Sequence, residues 1–264
     1  MNSKPIGIFD SGLGGLTVLK EIKSLLPKEN IVYFGDTARL PYGNKSKSTI
    51  IKFSTESILF LLKERVKLVV VACNTSSSLA LGHLKNIFKI PIIGVIEAGA
   101  DKALTISKKR RVGVIGTRST IESKSYQSYL RRKDKGLKVF SKACPLFVPL
   151  VEEGLRNGPL VRKTLSLYLD TFKKSKVDAL ILGCTHYPLL KKPIASFLKN
   201  TIIIDSAKEV AKKTREVLIN SNLERGANRK GLAKYFVTDD GKSFSQLANL
   251  FLKETINKPR RVNV

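Results

Sequence analysis

The chain has 264 residues, 42% hydrophobic and 26% charged, the balance of an ordinary globular protein with room for one large or two small domains. Its 48 basic and 21 acidic side chains leave a formal charge of +27. The basic residues are dispersed, with short clusters at Lys108-Lys109-Arg110-Arg111, Arg131-Arg132-Lys133 and Pro259-Arg260-Arg261. No cluster is interleaved with aromatics, so a solvated lysine-rich surface is expected rather than a nucleic-acid site, and no apolar stretch approaches the roughly 18 residues of a membrane span.

Strand and helix patterns alternate from the start. Short apolar runs rich in β-branched residues lie at 6–9, 31–34, 68–72 and 92–95. Between them come longer segments with helical spacing, such as 16–26 and 49–63. Such alternation predicts parallel strands joined by right-handed helical crossovers. The runs show no period of two, as expected for strands covered on both faces.

The same order then returns. Val112-Gly113-Val114-Ile115 answers Ile6-Gly7-Ile8-Phe9, and Leu137-Lys138-Val139-Phe140 answers Ile31-Val32-Tyr33-Phe34. Residues 180–183 answer 69–72, and 202–205 answer 92–95, at nearly constant offset. The chain ends with one more strand-like run, 235–238, and one more helical segment, 244–253, expected to pack back on the first half. The expectation is an α/β protein of two similar parallel-sheet domains facing each other across a cleft. The first would span 1–97 plus 207–264, and the second 98–206.

Ligands of open parallel sheets bind beyond the C-terminal ends of the strands. The suggestive polar residues fall there. Asp10-Ser11 follows the first strand, Cys73-Asn74-Thr75 the third, Thr117 to Thr120 the first strand of the second half, and Cys184-Thr185-His186 its third. Cys73 and Cys184 thus end matching strands. Each would sit near a helix N-terminus, where a thiolate is stabilised, and an unperturbed thiol at about 8.5 needs only modest help to act as a base. His186 can give such help, whereas His83 reads as structural and Cys144 as a packing residue. The turn Asp10-Ser11-Gly12-Leu13-Gly14-Gly15 lacks the Walker and dinucleotide patterns, and taken alone Asp10 reads as a helix cap. With two histidines and no Cys-x-x-Cys, no metal site is expected. Three distant cysteines and a first strand close behind Met1-Asn2-Ser3-Lys4-Pro5 point to free thiols, no signal peptide and a reducing, cytoplasmic compartment.

Several segments together resemble the bacterial glutamate racemases of the cofactor-independent aspartate/glutamate racemase superfamily. They are Ile8-Phe9-Asp10-Ser11-Gly12-Leu13-Gly14-Gly15, Gly35-Asp36-Thr37-Ala38-Arg39-Leu40-Pro41-Tyr42-Gly43, Ala72-Cys73-Asn74-Thr75, Gly94-Val95-Ile96-Glu97, Pro149-Leu150-Val151-Glu152-Glu153-Gly154 and Gly183-Cys184-Thr185-His186-Tyr187-Pro188. The resemblance implies that Cys73 and Cys184 exchange protons with the substrate. It implies that Asp10 assists the first thiol and His186 the second, with Glu152 near them. It places the glutamate contacts at Asp10, Ser11, Tyr42, Gly43, Asn74, Thr75, Thr120, Thr185 and His186. It implies no cofactor, a small-molecule substrate (L- or D-glutamate) and a role in peptidoglycan synthesis. A homodimer is the default assembly. Two bases invert an α-carbon without either moving around it, and the resting pair must then be one thiolate and one thiol. The rival readings are an aspartate or hydantoin racemase, or, from another class, a polyanion-binding modulator of a DNA enzyme; the latter would not need paired cysteines.

Overall fold

Each apolar run anticipated from the sequence is a strand. The computed structural model describes residues 3–239, 241–252, 256 and 258–264. Met1, Asn2 and Lys253, which figured in the expectations for the two chain ends, lie outside the described residues. In chain order the strands are β1 (Ile6–Asp10), β2 (Ile31–Gly35), β3 (Leu68–Val71), β4 (Ile92–Gly94), β5 (Arg111–Gly116), β6 (Lys138–Ala143), β7 (Ala179–Gly183), β8 (Ile202–Asp205), β9 (Ala233–Val237) and β10 (Arg260–Arg261). They form two wholly parallel sheets, ordered β10-β9-β2-β1-β3-β4 and β6-β5-β7-β8. The order β2-β1-β3-β4 recurs as β6-β5-β7-β8, so the repeat in the sequence is a repeat in space.

Burial explains why the first strands read as unbroken apolar runs. Residues of β1, β2 and β3 are buried throughout, and alternate side chains leave opposite faces of the sheet. Ile6, Ile8 and Val70 join a core with Leu16, Val18, Leu19 and Ile22 of the helix Leu16–Leu25. Phe9, Val32, Phe34, Val69 and Val71 join another with Ile50, Ile58 and Leu61 of the helix Lys47–Lys63. That helix begins earlier than its apolar spacing suggests because Ser46 caps it, its hydroxyl accepting from the Thr49 amide at 3.2 Å. β6 is an edge strand, half-exposed, and extends beyond the short run that announced it.

The first of these cores continues into the second sheet. Helix Leu16–Leu25 packs on helix Ser206–Asn220, which packs in turn on helix Val95–Ile106. Each fully buried Leu or Ile in that seam contributes roughly 1.5–3 kcal/mol. The chain end returns to the first sheet as expected: β9 adds beside β2, and helix Gly241–Leu252 packs on helix Leu16–Leu25 with Phe244, Ala248 and Phe251 buried. β10 was not anticipated, because its two exposed arginines carry no apolar signal. Among the described residues no helix is long and apolar enough to cross a membrane.

Candidate active site

The C-terminal ends of the two sheets converge. Asp10 closes β1; Cys73 stands after β3 as the cap residue of helix Asn74–Leu79. Across the cleft, Thr117 follows β5 and caps the short helix Arg118–Glu122, and Cys184 directly follows β7. Only Cys73 meets an α-helix N-terminus; Cys184 leads into the 3-10 turn Tyr187–Leu190. Asp10 is not a helix cap, since the next helix begins at Leu16 behind Gly15.

One cavity of about 450 Å³ lies between these loops. Both Cys73 and Cys184 line it, with Ser11, Tyr42, Gly43, Asn74, Thr75, Glu152, Thr185 and His186. Of the residues singled out in the sequence, Asp10 and Thr120 stand one layer behind the wall.

The two thiols differ in surroundings. Cys73 is 4% exposed and its Sγ donates to Ser11 Oγ at 3.5 Å. Burial, reinforced by the Asp10 charge, pushes this thiol up to about 11 despite hydrogen bonding with Ser11 and Ser76. Cys73 is therefore a neutral acid at pH 7. Cys184 Sγ lies 3.9 Å from His186 Nδ1, and His186 Nε2 lies 3.1 Å from Glu152 Oε1. Burial opposes the imidazolium, but the hydrogen bonds to Cys184 and Glu152, with their charges, raise His186 to about 10. An imidazolium thus sits between a sulfur and a carboxylate.

Asp10 is completely buried. Its Oδ2 accepts from the Gly12 amide at 3.0 Å, and its Oδ1 has no hydrogen-bond partner among the described residues. Burial raises this carboxyl, while neighbouring amides and the His186 charge pull it back. Its charge reaches both sides of the cavity, disfavouring a Cys73 thiolate and favouring the His186 cation.

Polar side chains complete the walls. Asn74 Oδ1 accepts from the Tyr126 hydroxyl at 2.8 Å, leaving its amide protons as donors. Thr75 Oγ1 meets Thr117 Oγ1 at 3.0 Å and Thr120 Oγ1 at 3.4 Å across the cleft. Ser119 Oγ donates to the Gly43 carbonyl at 2.9 Å. The Tyr42-Gly43 turn is held from below by buried Asp36. That carboxylate accepts from the Tyr42 hydroxyl, from Arg39 Nε at 2.6 Å and from Thr238 Oγ1 at 3.0 Å.

Some contributors had not been placed among the glutamate contacts. Thr117 and Arg118, within the 117–120 stretch noted at a strand end, line the cavity. Gly14 lies against the opposite lobe: a Cβ there would come 2.1 Å from Thr185 Oγ1 and 2.7 Å from His186 Nδ1. Phe251 of the last helix meets the His186 ring edge-on, with centroids 6.0 Å apart. Neither contact leaves a local pattern. His83 is exposed, and Cys144 is buried away from the cavity wall with Sγ 3.6 Å from the Lys142 carbonyl. Among the described residues no three His, Cys, Asp or Glu side chains converge as metal ligands.

Thiols from two lobes, one shielded and one beside an imidazolium, can take a proton from one face of a small molecule and return one to the other. Residues 6–214 match the family model described as Asp/Glu/Hydantoin racemase. A glutamate racemase of Aquifex aeolicus is 49% identical over 95% of each chain, and one of Sulfurihydrogenibium is 47% identical over 94% of each. The solved glutamate racemase of Francisella tularensis, in complex with D-glutamate, superposes with a TM-score of 0.94 at 38% identity, over 100% of this chain and 98% of that one. A glutamate racemase isoform of Bacillus anthracis gives 0.96 at 39% identity, over 100% and 99%. The chain belongs to the Asp/Glu/hydantoin racemase family.

Proposed function

We propose that this chain interconverts L- and D-glutamate by proton transfer between two cysteines, without a cofactor. The observation that carries the reading is that Cys73 and Cys184, at equivalent strand ends of two similar lobes, line one cavity. Cys184 lies beside the His186 imidazolium, and Cys73 is held as the neutral thiol. A substrate seated between them loses its α-proton to Cys184 and receives one from Cys73, which becomes the thiolate. The opposite enantiomer runs the same steps backwards once the protons have been redistributed.

Charge released at the α-carbon moves into the α-carboxylate. The Asn74 amide and the Thr75 and Thr185 hydroxyls are the donors to hold it there. Fixed donors in a shielded cavity need no reorganisation as that charge grows. Glu152 and Asp10 keep His186 cationic, and Ser11 holds the Cys73 thiol. Thr120 acts through Thr117 and Thr75. The lobes that carry the two bases span 1–97 plus 207–264 and 98–206. The product, D-glutamate, would supply peptidoglycan synthesis in the cytoplasm.

The test is α-deuterium incorporation when each enantiomer is incubated with the chain in heavy water, followed by chiral chromatography. Interconversion with wash-in at the α-carbon is expected from both. Turnover without exchange, or inertness toward both enantiomers, would end the proposal.

A further inference from the structure

Tyr126 is completely buried and stands behind the wall of the cavity. It is the second residue of helix Ser125–Lys133 in the second lobe. Its hydroxyl crosses to the first lobe and donates to Asn74 Oδ1 at 2.8 Å. The residue before it crosses as well: Ser125 Oγ donates to the Ser78 carbonyl at 2.8 Å. Asn74 and Ser78 stand one turn apart on the same face of helix Asn74–Leu79. Burial pushes the Tyr126 phenol well above its ordinary range, so it stays a neutral donor.

The ring of Tyr126 reaches the other thiol-bearing strand. Gly183 ends β7 just ahead of Cys184, and a Cβ on it would come 3.2 Å from Tyr126 Cε2 and 2.7 Å from the Ile115 carbonyl oxygen. Glycine there lets the ring approach the strand end. One side chain therefore meets both the residue after Cys73 and the residue before Cys184. An asparagine amide has two ends of nearly equal shape, one accepting and one donating. A hydroxyl proton fixed on Oδ1 settles which is which: Nδ2 and its protons are what Asn74 offers to the cavity it lines. A turned amide would set its oxygen against the negative charge that grows as the α-proton leaves.

We propose that Tyr126 is a positioning residue for the proton transfer: its hydroxyl locks the Asn74 amide with its donor end toward the cavity, while its ring braces the strand end that carries Cys184. The inference rests on the racemase reading above. Tyr126 touches no reacting atom and acts through Asn74. A fixed donor matters most when the charge is greatest, so its loss falls on kcat more than on KM.

Tyr126→Phe keeps the ring and removes the bond. Steady-state kinetics of this variant on both glutamate enantiomers, alone and in an Asn74→Ala background, test the inference, with the melting temperature of every variant checked. Loss of one buried hydrogen bond to a donor of this kind predicts a fall in kcat of about tenfold with KM within about threefold. With Asn74 already truncated the hydroxyl has nothing left to hold, so the same substitution should then cost less than about twofold. α-Deuterium wash-in over long incubations extends the comparison to variants too slow for steady-state work. An unchanged kcat in Tyr126→Phe, a rise in KM at constant kcat, or an equal fall in both backgrounds would overturn the assignment; the last would mean that the hydroxyl serves the fold alone. A wild-type chain inert on both enantiomers would instead overturn the racemase reading, and this inference with it.

Discussion

Replacing Glu152 by Gln removes one negative charge from the site while preserving its shape. His186 is raised to about 10 because hydrogen bonds to Cys184 and Glu152 outweigh the burial that opposes its cation. The glutamine Oε1 can still accept from His186 Nε2–H, but its side chain no longer carries a charge. A charge-assisted bond contributes about 1.5–3 kcal/mol. The Glu152 side chain is 36% exposed, so water screens it and the lower end applies. About 1.4 kcal/mol corresponds to one pH unit. The sign follows directly: losing a carboxylate that favours the cation lowers the pH at which His186 deprotonates. The imidazolium beside Cys184 is then lost earlier as pH rises. The pH profile of kcat/KM, followed by circular dichroism of glutamate from pH 6 to 11, should have its alkaline limb displaced downward by about one unit in Glu152→Gln. An unmoved limb, or one displaced upward, would refute the assignment of His186 as the cation that sustains Cys184.

Gly14→Ala should lower kcat/KM by about a hundredfold with the circular-dichroism spectrum retained, because a methyl 2.1 Å from Thr185 Oγ1 forces Thr185 and His186 aside; activity within twofold of wild type would show that the lobes yield without cost. Glu29→Ala should destabilise the fold by about 3–5 kcal/mol in urea titration, since the Lys67 side chain is 1% exposed and its Nζ lies 2.6 Å from Glu29 Oε2. A loss under about 1 kcal/mol would mean that Lys67 finds water or discards its proton.

Much of the fold was legible because buried parallel strands advertise themselves. Residues 68–71 and 179–183 are apolar at every position since both faces of their sheets are covered. The repeated order let the second set confirm the first. Edges were harder to read: β6 mixes exposed and half-buried residues without alternation, and β10 is two arginines. The site was legible where function concentrates at strand ends, as with Cys73, Cys184 and their Asn-Thr and Thr-His neighbours. What could not be read is what depends on residues distant in sequence. Gly14 is an unremarked member of a glycine-rich turn until it meets His186, and Thr75 says nothing of Thr117 until the lobes close. The different surroundings of the two thiols belong to the same class. They follow from burial beside Asp10 in one lobe and from the Glu152–His186 contact in the other.

The central claim is that one proton leaves to one sulfur and another arrives from the opposite sulfur. Rates of L-to-D and D-to-L interconversion in Cys73→Ala and in Cys184→Ala, each checked for an unchanged melting temperature, address it most directly. Two-base transfer predicts that either substitution abolishes both directions, by roughly a thousandfold or more. A folded variant lacking either thiol that still racemises glutamate within tenfold of wild type would contradict it.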